Sequence, residues 1–166
     1  MKKICICLIF IVLCPFFATA ESASDVYATW ENMEIDKCAS AWLIRRFINK
    51  NAVFKFFPKG ELITEGIPFD VPQAEIRRYH NMAAFEYLVK KHKISDPALR
   101  KIGEIIHDIE INYWGKKKQE ESRKTDETIR EIIKTSETPE ESLRRSFAVF
   151  DSLYSRLLST SSNGSE

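Results

Sequence analysis

The chain has 166 residues, 25 of them basic and 24 acidic, with 44% hydrophobic and 11% aromatic residues. That length suits one domain with an adequate core, and a formal charge of +1 gives no electrostatic footing for a nucleic-acid partner. Five glycines, scattered singly, leave no glycine-rich phosphate loop.

Residues 1–20 read as a signal peptide. Lys2 and Lys3 precede an apolar run from Ile4 to Phe17, and Ala18-Thr19-Ala20 is a small-residue cleavage site. The run is too short to span a bilayer comfortably, so the expectation is export, to the periplasm, with no stable membrane insertion after cleavage. Cleavage after Ala20 removes Lys2 and Lys3 and no acidic residue, moving the formal charge from +1 to −1. It also removes Cys5, Cys7 and Cys14. Cys38 is then alone and is read either as a reactive thiolate near a helix N-terminus or as a small buried hydrophobe.

The segment 21–158 is expected to form a single domain, and its elements follow in order. Asp25 to Asn32 is a loosely patterned first strand. Asp36 is a helix N-cap, and the helix runs to Ile48 with Ala39, Trp42, Leu43 and Phe47 on one face. Ala52 to Phe57 is an aromatic-rich strand stopped by Pro58. Ile67 to Val71, framed by Pro68 and Pro72, is an edge strand, and Ala74 to Tyr79 adds another. Parallel neighbours would make the strand–helix–strand order a crossover unit. Met82 to Lys91 is helical. Asp96-Pro97 starts the next helix, which carries Leu99, Ile102, Ile105, Ile106 and Ile109 inward. Gly115 to Arg123 is a charge-dense break. Helices follow over Thr125 to Lys134 and from Thr138-Pro139-Glu140-Glu141 onward, and the Ser-rich tail 159–166 is read as disordered. The fold class is α+β: a small N-terminal β-sheet with one helix, then a layer of about four helices.

Asp36, Ala39, the block Trp42 to Ile48, Ala52, Phe54, Phe69-Asp70, His80, Phe85-Glu86, Asp96 to Leu99, Ile106 to Glu110, Phe150-Asp151 and Leu153-Tyr154 keep a characteristic order and spacing. Together they make the chain resemble the chromate resistance exported protein family, whose domain also stands at the C-terminus of ChrB-type proteins. The likeness runs from about Trp30 to Leu158. It departs at Lys37, where the family usually has arginine, and at Glu110, where aspartate is usual. It also departs before Phe85-Glu86, where no Cys-Thr stands. The resemblance implies a role in tolerance to, or sensing of, chromate or a related oxyanion outside the cytoplasm.

Two kinds of chemistry are candidates. His107 and Glu110 lie three residues apart on a helix, with Asp108 in the same turn, a spacing that supplies two ligands to a metal. His80, Glu86, Asp70 and Asp36 would complete a site for a divalent Fe, Mn or Zn ion. Arg45 and Arg46 carry planar guanidinium forks that match a tetrahedral oxyanion, with Asp36 and Asp70 beside them. The competing reading pairs one arginine with Asp36, Asp70 or Glu86 and leaves the polar residues as caps and ion pairs. The expected partner is a small inorganic anion or a metal ion. The alternatives are a metal-dependent enzyme and a non-catalytic structural or interaction domain.

Overall fold

The computed structural model describes residues 25–112 and 119–162. The signal-peptide reading and the start of the charged break, residues 115–118, lie outside them. Three strands form a parallel sheet: β1 Val26–Trp30, β2 Val53–Phe57 and β3 Ile67–Pro68, in the order β2-β1-β3. Val26 pairs with Val53 and Tyr27 with Ile67, so both neighbours run alongside β1 in its own direction. As the sequence suggested, β3 is an edge strand. Ala74 to Tyr79 does not join the sheet; it contributes only isolated bridges, Phe69 with Ile76 and Tyr79 with Met82.

Between β1 and β2 lies α1, Ile35–Leu43. The sequence pattern predicted one apolar face. Instead all nine of its residues are buried, because it packs against four helices at once. These are α2 Ala84–Lys91, α3 Pro97–Glu110, α4 Glu120–Thr135 and α5 Pro139–Ser162. Trp42 anchors the α1–α5 contact, with ring centroids 5.7 Å from Phe150 and 6.0 Å from Tyr154. Ile102, Ile105, Ile106 and Ile109 of α3 are fully buried, as their spacing required.

The helix begun by α1 does not run regularly to Ile48. At Ile44–Ile48 it widens into a π-helical turn, closed by Asn49 N–H donating to the Ile44 carbonyl at 2.8 Å. Asp96 caps α3 as expected, accepting from Leu99 N–H at 3.0 Å, and Thr138 Oγ1 accepts from Glu141 N–H at 3.2 Å at the start of α5. Two readings are refined at helix ends, and residues 163–166 of the tail lie outside the described residues. Glu120 to Arg123 belong to α4, held by Arg123 pairing with Glu120 and Glu127 along the helix. Ser159–Ser162 continue α5, with Ser159 and Thr160 hydroxyls donating to the Arg156 carbonyl.

Candidate oxyanion cleft

The parallel sheet decides where a site forms. In open sheets of this kind, ligands sit in the crevice beyond the carboxyl ends of the strands, where the chain departs to opposite sides of a central strand. Here β1 is that strand. Asn32, Lys59 and Asp70 each stand two residues past the ends of β1, β2 and β3. They line a cleft of about 430 Å³ together with Trp30, Glu34, Val71, Pro72, Arg77 and Arg78. A second lobe of about 490 Å³ shares Glu34 and Arg78 and reaches Glu110, Arg130 and Lys134.

Behind this wall lie buried charges. Lys37 is 1% exposed, and its Nζ donates to the Trp30 carbonyl at 3.0 Å and the Asn32 carbonyl at 2.5 Å. Burial lowers its pKa, opposed chiefly by the Asp70 charge. Asp70 holds a left-handed backbone, φ +49°, a conformation an aspartate tolerates better than most residues. Its Oδ2 is shut away from solvent and finds no hydrogen-bond donor among the described residues. Burial, then the neighbouring Asp36, raises the Asp70 pKa well above the usual carboxylate range. Asn32 Nδ2 donates to Glu34 at 3.1 Å, which leaves Asn32 Oδ1 as an acceptor, and that oxygen too is buried and unpartnered. Arg78 bonds the buried Glu110, Arg77 is tethered to the Pro72 carbonyl at 2.7 Å, and Lys59 has no ion-pair partner among the described residues.

Three of the residues singled out in the sequence therefore gather at this cleft: Asp70 on its wall, Glu110 against Arg78, and Asp36 beneath. Asp36 is not the N-cap of its own helix; Glu34 occupies that position. Its carboxylate instead accepts from Ala84 N–H at 2.6 Å and Phe85 N–H at 2.9 Å, capping α2 from α1. Burial raises its pKa, opposed by those two backbone donors.

The others lie elsewhere. His107 Nδ1 meets Glu86 Oε2 at 3.0 Å, joining α2 to α3, and Glu86 Oε2 also accepts from Ala83 N–H at 2.8 Å. Asp108 receives Asn112 Nδ2 at 3.1 Å and Gln119 N–H at 3.3 Å, holding together the two ends of the α3–α4 connection. His80 is exposed in the turn between Tyr79 and Met82. Among the described residues, no three His, Cys, Asp or Glu side chains are grouped to hold a metal ion. The five proposed ligands do not fit that role as they stand.

Arg46 pairs with Asp151, through Nε to Oδ1 at 2.9 Å and Nη2 to Oδ2 at 2.6 Å, rather than with Asp36, Asp70 or Glu86. Trp42 Nε1 donates to the same Oδ1 at 2.8 Å. Arg45 bonds the Ala52 carbonyl. Cys38 is wholly buried, and burial pushes its thiol pKa up to about 12, which favours the hydrophobe reading over the thiolate.

Sequence reasoning missed Asn32, Glu34, Lys59, Arg77 and Arg78. Asn32 and Lys59 stand two residues past strand ends, a signal legible only once the strands were known to be parallel, and Arg77 and Arg78 come from the long connection between β3 and α2.

Residues 27–157 match the family described as ChrB, C-terminal domain. The chain belongs to that family. Protein ChrB of Cupriavidus metallidurans (strain ATCC 43123 / DSM 2839 / NBRC 102507 / CH34) is 29% identical over 87 residues, covering 51% of this chain and 27% of that protein. The chain thus spans about a quarter of the length of this ChrB relative. No solved structure matches it. Every residue of the cleft falls within the ChrB C-terminal match. Lys37 and Glu110 bear directly on this cleft, one beneath the loop after β1 and one against Arg78.

Proposed function

We propose that this ChrB C-terminal domain binds a small tetrahedral oxyanion of the chromate type in the cleft beyond the parallel strand ends, as an exported protein of chromate tolerance or sensing. The observation that carries the reading is the convergence of Lys59, Arg77 and Arg78 on one wall with Lys37 buried behind it. Burial pushes Asp70 and Asp36 toward their neutral forms and Lys37 toward its own, so the cationic side chains facing the cleft are Lys59, Arg77 and Arg78, beside Glu34. Guanidinium groups suit such a ligand because they offer two parallel donors to two of its oxygens. Arg45 and Arg46 are engaged with Ala52 and Asp151 and line a different surface, away from the strand-end cleft, where Lys59 has no ion-pair partner among the described residues.

Isothermal titration of the purified protein with chromate tests the reading. A saturable one-to-one isotherm is expected, weakened at least tenfold in Arg78→Gln and unchanged in His107→Ala. Equal affinity in wild type and Arg78→Gln would remove the cleft as the site. Export is supported by the basic, apolar and small-residue pattern of residues 1–20. The mass of protein recovered from the periplasm should correspond to a chain beginning at Glu21.

A further inference from the structure

We infer that the cleft discriminates among oxyanions by their protons: Asn32 Oδ1 and Asp70 Oδ2 accept or share a hydrogen bond with an O–H of the ligand, so a monoprotonated oxyanion binds and sulfate is rejected. This rests on the reading of the cleft as an oxyanion site and adds which anions it admits.

The argument begins with two oxygens that have nothing to do in the free protein. Both belong to residues lining the cleft, both are buried, and neither has a hydrogen-bond partner among the described residues. A buried acceptor without a donor is costly, and proteins keep such groups where a ligand completes them. The surrounding wall carries Lys59, Arg77 and Arg78 beside Glu34, so on the reading of the cleft as an oxyanion site the ligand is an anion that can also donate. An inorganic oxyanion that retains one proton is the smallest species with both properties. Chromate loses its last proton near neutral pH and phosphate keeps one well beyond it, whereas sulfate has none left to give.

The two oxygens differ in what they tolerate. Asn32 Oδ1, a carbonyl oxygen, can only accept, and the Nδ2–Glu34 hydrogen bond fixes which way the amide is turned. Asp70 can share a proton with the ligand in either direction. It faces Asp36 and Lys37 from α1, Glu34 from the loop after β1, and Arg78, and burial favours its neutral form. An aprotic anion such as sulfate could take a hydrogen bond from Asp70 but would set a bare oxygen against Asn32 Oδ1. Sites built around a substrate O–H reject analogues lacking it far more strongly than apolar pockets reject a change of size. Such a repulsive element is how specificity between near-identical ligands is obtained.

The experiment is titration of the whole protein with chromate, inorganic phosphate and sulfate across a pH series, repeated for Asn32→Leu and Asp70→Asn. Wild type should bind chromate and phosphate at least tenfold more tightly than sulfate, with chromate affinity falling as pH rises beyond the anion's own deprotonation. In Asn32→Leu the chromate-to-sulfate ratio should shrink to within threefold, and in Asp70→Asn the pH dependence of chromate binding should flatten. Sulfate binding within threefold of chromate in wild type, at all pH values, overturns the inference and leaves the oxyanion site standing. So does an unchanged ratio in Asn32→Leu. Absence of binding by all three anions defeats the functional reading itself. Should a variant fail to fold by circular dichroism, the wild-type ratio and pH series still decide.

Discussion

Asp36 and Asp70 are both buried aspartates of the same neighbourhood, yet they answer to different forces. Asp36 accepts two backbone N–H groups at the open end of α2, where Ala83 offers no side-chain acceptor of its own. Removing it orphans both donors and a helix cap, so Asp36→Ala should lower the unfolding free energy by about 2–4 kcal/mol in urea titrations. Asp36→Asn, which keeps one acceptor, should recover part of that loss. Asp70 has no such compensation. Because folding raises its pKa, the folded state holds the proton more tightly than the unfolded chain does. Stability from this group is full below the ordinary carboxylate range, about pH 4, and is lost as pH rises through the raised value. Wild type should therefore lose stability relative to Asp70→Asn between acid and neutral pH, seen as diverging melting temperatures. Parallel melting curves at every pH would show Asp70 to be ordinary. Asp151 makes a third case. Its pair with Arg46 is 44% and 43% exposed and is worth little by itself, about 0–1 kcal/mol. It also satisfies the indole N–H of the fully buried Trp42. Asp151→Ala should thus cost about 1–3 kcal/mol more than Arg46→Ala in chemical denaturation, the penalty of an orphaned donor.

At the scale of elements, the short strand β3 is placed by a glycine. Gly66, just before it, has φ +78°, and a Cβ there would lie 2.9 Å from the Val26 side chain and 3.0 Å from its carbonyl oxygen. The loop must pass this close for Ile67 to pair with Tyr27 and for the chain to continue to Asp70. Gly60 has φ +91° with nothing around it. Gly60→Ala should cost only the backbone strain, roughly 1–2 kcal/mol, whereas Gly66→Ala adds a clash and should destabilise more and weaken anion binding as well. Equal effects in thermal melts would separate β3 from the geometry of the cleft. The same segment shows what was legible in the sequence. Proline-framed Ile67 to Val71 announced an edge strand, isoleucine spacing announced the buried stripe of α3, and Asp96-Pro97 announced a cap, because each is a local choice with a local cause. The cleft was legible only in its carboxylates. Its cations stand in loops whose proximity depends on strand direction, which no local pattern encodes. His107 and Glu110, three apart on one helix, were the strongest local pair, and tertiary contacts drew them to different partners, Glu86 and Arg78. Asp36 was read as capping the helix it belongs to, and the chain uses it to cap the next one.

For the whole molecule, the order of elements suggests a sheet half and a helical half, and α1 decides whether they are separable. It is the crossover of the β1–α1–β2 unit and also touches α2, α3, α4 and α5. Its nine residues are buried on every side, and the buried Asp36 and Lys37 link it to α2 and to the end of β1. Neither half can lose its structure without exposing that helix, including polar groups whose hydrogen bonds exist only in the assembled fold. Opening the sheet alone would strand Lys37, and opening the helices alone would strand Asp36; each leaves a buried polar group without its backbone partners, a penalty of about 1–3 kcal/mol. Unfolding should therefore be a single cooperative transition. Tryptophan fluorescence draws on Trp114 and, among the described residues, on Trp30 at the strand end and Trp42 in the α1–α5 contact, while far-ultraviolet circular dichroism is dominated by the five helices described. The two signals should give the same midpoint and slope in urea, and saturating chromate should move both together. Helical signal that outlasts the fluorescence change, or a chromate shift confined to one probe, would mean that the sheet and the helices hold together independently of α1.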